Sequence, residues 1–529
     1  MPANATITTQ CHHDKDGEKK GLKLTSRKMR RGCLQRRTST AATVVVALLI
    51  STAAWLLLVF SGTSSRCWYL VKNPEASPSS CALPPPHSLG PDKRSSQVEV
   101  RRKEKEEEKD LSLEHIVFGI AGSSQLWKRR KEFIRLWWRP GATRGYVWLE
   151  EQVLTEDGDD ELPPIIVSED ISRFRYTNPT GHPSGLRIAR IIAECFRLRL
   201  PNVRWFILGD DDTIFNTDNL VAVLSKYDPS EMVYIGSPSE SHSANSYFSH
   251  SMAFGGGGIA ISLPLAEALS TMQDECLERY PKLYGSDDRL HACITELGIP
   301  LTRENGFHQF DIRGNAHGLL SSHPIAPFVS MHHVEAVSPF YPGLNTLNSL
   351  KLFTRAMRLG PRSILQRAIC YDRRRHLTLS VSLGYAIQVF PIIVYPRELE
   401  RSELTYSAWN RISHRNEFDF DTRDPYKSIC KKPILFFLKG VGREGNATLG
   451  FYKRARENDD LRRKVFCFPR RPPLQHVQNI QVLGYPLSKN WHLAPRRLCC
   501  KLNQTSNQFL RLTVRQCEKG AFSAVTDSL

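Results

Sequence analysis

Asp210, Asp211 and Asp212 stand side by side just after the apolar run Val203–Leu208. Three adjacent carboxylates repel one another unless a cation compensates them. Asp210 and Asp212 are spaced to reach one hard divalent ion, and such an ion can hold a diphosphate. The plainer reading is a turn with helix-capping Asp residues, since Thr213 and Asn216 follow. Two more acids, Asp287 and Asp288, precede a helical stretch that runs to Leu297. Ser286 is the expected N-cap there, with the carboxylates at the positive end of the helix. The chemical reading makes one of the two acids a general base toward a hydroxyl. The pair His332-His333 follows Phe328–Val329 and can add an imidazole to a metal held by Asp212. Imidazole suits transition ions such as Mn2+ better than Mg2+. Between these groups, Gly255–Gly258 precede Ile259–Ser262. Bare backbone permits close approach of another body. A sugar ring fits that description, and a hinge is the alternative. No Lys-Ser or Lys-Thr follows the glycines, and they precede the strand instead of leaving it, so neither a P-loop nor a dinucleotide turn is present.

The elements that must position these residues alternate in type. His115–Ala121, Gly145–Leu149, Pro164–Val167 and Val203–Leu208 are short apolar runs, expected as strands. Leu126–Trp138 and Ser184–Leu198 have helical spacing, and Pro201 closes the second. Pro264–Tyr280 is a third expected helix. Strands alternating with helices predict an α/β sheet containing parallel strands. Ligands of such sheets bind beyond the carboxyl ends of the strands, which is where the three aspartates lie. Beyond Leu350, His376–Pro391 alternates like a half-buried strand, so a β-rich unit is expected over about 375–529.

The chain has 529 residues, 72 Lys+Arg against 54 Asp+Glu, and a formal net charge of +18. Ten Lys/Arg and three Asp/Glu fall in the first forty residues, which places +7 of that charge there. No charge appears from Thr38 to Ser65, and Ala41–Phe60 is apolar almost throughout. Twenty helical residues rise about 30 Å, enough to cross a bilayer core. A basic flank before the segment keeps the N-terminus cytosolic. A forty-residue n-region is too long for a cleaved signal peptide. The expected layout is a basic cytosolic tail (1–40), a signal-anchor (41–61) and a stem (62–112) rich in Pro, Ser and paired charges. A catalytic body (113–350) and an accessory region (351–529) follow. The basic cluster lies beside the membrane segment, which argues against nucleic acid as a partner. Eleven of the 13 cysteines follow that segment, where oxidation is permitted, and an odd number leaves at least one free or in an intermolecular bond. Cys499 and Cys500 are adjacent, so each needs its own partner. Asn446-Ala447-Thr448 and Asn503-Gln504-Thr505 are glycosylation acceptors on a luminal body.

In this order the segments resemble the Fringe-like, family-31-type glycosyltransferases, above all their plant branch, long catalogued as a domain of unknown function. RGYVWLE (144–150), WFILGDDDT (205–213), YFSHSMAFGGGGIAIS (247–262), GSDDRLHACITELG (285–298), GFHQFDIRG (306–314) and SMHHVEAVSPFYP (330–342) carry the resemblance over about 113–345. It implies a GT-A-type mixed sheet flanked by helices, a UDP-sugar donor, Mn2+, and inversion at the anomeric carbon in β1,3 transfer to a glycan hydroxyl. It implies a Golgi type II membrane protein with a luminal body. Asp210, Asp211 and Asp212 match the family's acidic donor motif, with Asp210 and Asp212 on the metal. Gly256, Gly257 and Gly258 match its glycine turn. Asp288 matches the base, with Asp287 as the fallback. His332 matches the metal histidine, and a one-residue shift selects His333. After the acid pair this chain has Arg289-Leu290-His291, where the family usually has a small or β-branched residue and Gly. A catalytically silent, GT-A-like carbohydrate-binding protein is the other reading.

Overall fold

The computed structural model describes residues 111–154, 156–410, 417–455, 466–467, 476–505 and 509–520. All of them fall in one compact unit, Lys93–Leu529. The expected tail, the signal-anchor and nearly all of the stem lie outside the described residues. Among the described residues no helix is long and apolar enough to cross a membrane.

Seven strands form the main sheet: β1 (Ile116–Ala121), β2 (Arg144–Leu149), β3 (Ile165–Val167), β4 (Trp205–Asp210), β5 (Tyr234–Gly236), β6 (Ile259–Ser262) and β7 (Leu301–Arg303). Their order is β3-β2-β1-β4-β6-β5-β7. β1, β2, β3 and β4 run parallel, while β6 is antiparallel to both β4 and β5. This is the expected mixed sheet.

Successive strand side chains point to opposite faces, and here that alternation sorts the residues into two cores. Ile116, Phe118 and Ile120 of β1, with Trp205 and Ile207 of β4, enter one core; Val117, Ala121, Phe206 and Leu208 enter the other. The second core is closed by helices α2 (Ser184–Arg197), α3 (Leu263–Arg279) and α4 (Ser286–Glu296), through Ile191, Ile192, Leu269 and Ile294. α1 (Trp127–Arg135) covers the first core with Trp127, Phe133 and Ile134.

The C-terminal half closes the rest of that first core. Its eight strands are β8 (Arg367–Asp372), β9 (Leu377–Ser382), β10 (Ala386–Phe390), β11 (Ile434–Glu444), β12 (Ala447–Arg454), β13 (Asn479–Gly484), β14 (Cys499–Thr505) and β15 (Phe509–Arg515). They lie in the order β8-β9-β10-β11-β12-β13-β15-β14. Leu379, Ile387, Phe436, Ile480 and Leu512 share one continuous core with Ile116 and Trp205. The expected boundary at 350/351 therefore falls inside a helix, Thr346–Leu359, whose Leu350, Phe353 and Met357 are buried in that shared core. The β-rich unit also begins earlier than expected, at Arg367.

Among the described residues four disulfides join Cys276 to Cys293, Cys370 to Cys500, Cys430 to Cys467 and Cys499 to Cys517. Cys499 and Cys500 thus take separate partners, and Cys195, buried in α2, is the free thiol among the described residues. The bridge Cys276–Cys293 ties α3 to α4, the helix that begins with the acid pair. Replacing both cysteines by Ser opens a loop of 17 residues' separation. Chain-entropy arguments value such a closure at about 3 kcal/mol, so the denaturant midpoint of the double variant falls accordingly while its circular dichroism stays native-like.

Candidate metal and donor site

β4 ends at Asp210, and the chain turns at Asp211-Asp212. The Thr213 hydroxyl fixes that turn. It accepts the Asp210 N–H at 2.9 Å and donates to the Gly256 carbonyl at 2.7 Å, so one side chain joins the acidic turn to the glycine run. The two-residue strand Ile214–Phe215 then pairs antiparallel with Ser330–Met331, Met331 opposite Ile214. One residue further along each strand lie Thr213 and His332, and the register thereby brings His332 beside the aspartates.

The three donors converge. His332 Nε2 lies 3.1 Å from Asp212 Oδ1 and 3.3 Å from Asp210 Oδ2. One ligand atom from each of Asp210, Asp212 and His332 lies within 4.8 Å of the others. Asp212 Oδ1 is also 2.7 Å from Arg130 Nη1, yet it is buried without a well-formed hydrogen bond, and so is His332 Nδ1. A buried carboxylate oxygen left without a good donor, next to a second carboxylate and an imidazole, fits a divalent transition ion.

Asp211 goes elsewhere. It accepts from Arg130 Nη1 at 2.9 Å and from the Ser123 N–H at 3.4 Å, and it is not one of the three converging donors. Burial, with Asp212 and Asp210 alongside, raises its carboxyl to about 7, against the pull of Arg130. Burial alone would raise Asp212 too, but His332 and Arg130 hold it well below the usual carboxylate range. Burial would lower His332, but Asp212 and Asp210 lift its imidazole to about 10.

The glycine run serves the protein's own side chains. A Cβ on Gly256 would sit 2.2 Å from His332 Nδ1, and one on Gly255 would sit 2.6 Å from Asp287 Oδ1. Gly258 has φ +100°, a conformation that favours glycine. Gly257 donates its N–H to Gln309 Oε1 at 2.8 Å. Within the protein, the groups that approach this bare backbone are Asp287 at Gly255, His332 at Gly256 and the 308–309 backbone at Gly257.

The two acids of α4 differ. Asp288 accepts the Tyr284 N–H at 2.8 Å and the Gly285 N–H at 2.9 Å. Gly285, not Ser286, is the N-cap, because the carboxylate at the third helical position already satisfies that end. Asp287 instead accepts from the Ser286 hydroxyl at 2.9 Å and from the Gly255 N–H. Burial and the nearby Asp210 raise its carboxyl to about 7. The unusual Arg289 is buried and donates to the carbonyls of Tyr280 and Leu283, which shapes the loop leading into this pair.

His333 turns away from the cluster. Its Nδ1 lies 3.0 Å from Asp311 Oδ1, and its ring stacks between His332 and Trp409. Arg130, Gln309 and Trp409 were not singled out by sequence reasoning. Arg130 had a local signal, the run Lys128–Lys131. Trp409 had none, since it lies 76 positions beyond His333.

Residues 113–315 match the family model described as Fringe-like, and residues 244–500 match a protein of unknown function, DUF604. Over 218 residues the chain is 26% identical to beta-1,3-N-acetylglucosaminyltransferase lunatic fringe of Danio rerio, covering 38% of this chain and 55% of the relative. It is 30% identical over 107 residues to a beta-1,3-glucosyltransferase of Mus musculus and 31% identical over 105 residues to that of Homo sapiens. Those matches span 20% of this chain and about a fifth of each relative. The chain thus covers from a fifth to about half of the length of these relatives. A crystal structure of the Drosophila beta1,4galactosyltransferase 7 catalytic domain with xylobiose aligns over 35% of this chain and 64% of its own, at 14% identity and a TM-score of 0.18.

A neutral imidazole is the metal ligand, so an ion that binds here expels the His332 proton. Below pH 10 its affinity therefore rises with pH, by up to about tenfold per unit for one proton released. Calorimetric titration of Mn2+ in buffers of differing ionisation enthalpy reads that proton directly, and His332→Gln abolishes its release.

Proposed function

From a Fringe-like domain continued by a DUF604 region, we propose a UDP-sugar-dependent, inverting hexosyltransferase that adds a hexose or N-acetylhexosamine to a glycan hydroxyl in β1,3 linkage. One observation carries the reading: Asp210, Asp212 and His332 converge beyond the carboxyl end of β4, with Asp287 held against the glycine run beside them. The β1,3 linkage is supported by the names of the relatives.

Asp210, Asp212 and His332 would hold Mn2+, which when bound neutralises charge developing on the leaving diphosphate. Arg130 already stands at Asp211 and Asp212 and supplies a fixed positive charge beside the same group. The acceptor hydroxyl loses its proton to a carboxylate as its oxygen attacks the anomeric carbon. The bond from that carbon to the UDP oxygen breaks on the opposite face, and UDP leaves with the electron pair. We assign the base to Asp287 instead of Asp288, because both oxygens of Asp288 are committed to backbone N–H groups. An Asp287 carboxyl raised to about 7 is basic enough to accept a proton near neutrality.

The body is proposed to be luminal in the Golgi, anchored by the 41–61 segment. Asn446 supports this reading: it is exposed at the tip of the β11–β12 hairpin, where a glycan can be attached. Endoglycosidase treatment is then expected to increase the electrophoretic mobility of the full-length protein, and Asn446→Gln removes part of that change. Digestion of the body by protease added to sealed microsomes would refute this topology.

The test of function is a transfer screen against UDP-sugars with Mn2+, followed by two substitutions. Asp287→Asn lowers transfer by about 10²–10⁴-fold and removes the rise in rate as pH climbs to about 7, the value for its carboxyl. Donor affinity stays nearly unchanged. Asp288→Asn keeps one acceptor oxygen and loses the other of the two bonds at the start of α4, a cost of about 1 kcal/mol, and lowers activity only in proportion to folded protein. Full activity in Asp287→Asn would move the base elsewhere. Wild-type protein inert with every donor would favour a carbohydrate-binding role.

A further inference from the structure

We propose that Trp409, contributed by the C-terminal half, is a positioning residue that fixes His332 at the metal site by clamping His333. The inference rests on the reading of Asp210, Asp212 and His332 as metal ligands. Trp409 lies beyond the Fringe-like match, which ends at 315, and inside the DUF604 match.

The backbone delivers it. Tyr406–Ala408 pairs antiparallel with Ile312–Gly314, Ala408 opposite Ile312. Trp409 therefore leaves the pair next to Asp311, the residue that binds His333. Its indole lies nearly parallel to the His333 ring, 12° between planes and 4.2 Å between centroids. The Arg313 guanidinium stands 4.0 Å from the centre of the same indole, and Arg313 Nε donates to the Trp409 carbonyl at 3.0 Å. The imidazole and the guanidinium both pack on this one ring. The indole thus has partners within the protein on which a positioning role can rest.

Its effect passes along a stack. His333 lies 3.9 Å from His332, ring centre to ring centre. The His332 ring is confined again by Gly256, which leaves no room for a Cβ, and its Nε2 faces Asp210 and Asp212. His333 adopts φ +47°, unfavourable for a residue with a side chain. Asp311, itself bonded to the Ser239 hydroxyl at 2.5 Å, and the indole hold it there. Among the described residues, half-buried Trp409 joins none of the hydrophobic cores, whereas Tyr406 on the strand that leads to it is part of one.

The experiment compares the full chain with Trp409→Ala, Trp409→Leu and Trp409→Phe. One arm measures Mn2+ affinity without donor, from the free-ion EPR signal, alongside the metal-free melting temperature. Groups that orient a metal ligand are usually worth about 10–100-fold in affinity. Trp409→Ala and Trp409→Leu should lose that much with little change in metal-free melting, and Trp409→Phe should recover most of it. The second arm maps diethylpyrocarbonate modification by mass spectrometry, with buried His317 as the internal control. His332 and His333 should react faster in the Ala and Leu variants while His317 does not. Wild-type affinity together with wild-type labelling in the Leu variant overturns the inference. Faster His332 labelling in a protein whose wild type binds no Mn2+ would keep the clamp and refute the metal reading instead.

Discussion

Three carboxylates held at the end of one buried strand define what the surrounding structure must supply. Asp211 and Asp212 are nearly inaccessible, and like charges this close repel strongly where little water screens them. The protein answers with charge of its own. Arg130 touches Asp211 and Asp212, and His332, whose imidazole Asp212 and Asp210 lift to about 10, reaches both of those carboxylates. α1 must therefore lie against the end of β4 to deliver Arg130, and Ser330–Met331 must pair with Ile214–Phe215 to deliver His332. Displacing either element leaves buried charge uncompensated, which costs more than the loss of an ordinary contact.

Delivery on that scale depends on a rigid support. β4 lies at the centre of the sheet, between β1 and β6, and both of its faces are buried. Helices close one face, while α1 and the C-terminal strands close the other. The C-terminal half thus completes a core that it shares with the first half. A sheet with apolar residues on both faces needs cover on both, and this explains why the helix Thr346–Leu359 runs through the point where a boundary was expected.

Much of this was legible in the sequence because it is local. β1, β2 and β4 announce themselves as short apolar runs, and α2 by its apolar stripe ending at Pro201. The acidic turn could be placed because strand ends in such sheets are where ligands sit. What depends on orientation was not legible. Asp287 and Asp288 are adjacent and chemically alike, and only the path of the loop before α4 decides which one caps the helix. His332 and His333 raise the same question, which is decided by strand register and by an indole far along the chain. Type and spacing identify candidates; contacts between distant segments select among them.

The glycine run shows how a local signal fixes the physics of a stretch while distant segments decide which groups use it. Four consecutive glycines do mark close approach. The approaching bodies at Gly255 and Gly256 are Asp287 and His332, a residue of the acid pair and a ligand of the candidate metal site. Thr213 also bonds to the Gly256 carbonyl, so the acidic turn, the imidazole and the second carboxylate all rest on one stretch of bare backbone. Any side chain added there would push these groups apart. Burial first, and the neighbouring carboxylates after it, raise the carboxyls of Asp211 and Asp287 to about 7, while Asp212 and Asp210 lift the His332 imidazole to about 10 against its burial. Bare backbone at Gly255 and Gly256 lets Asp287 and His332 lie that close to the acidic turn, so two missing side chains belong to the electrostatics of the site along with the charges.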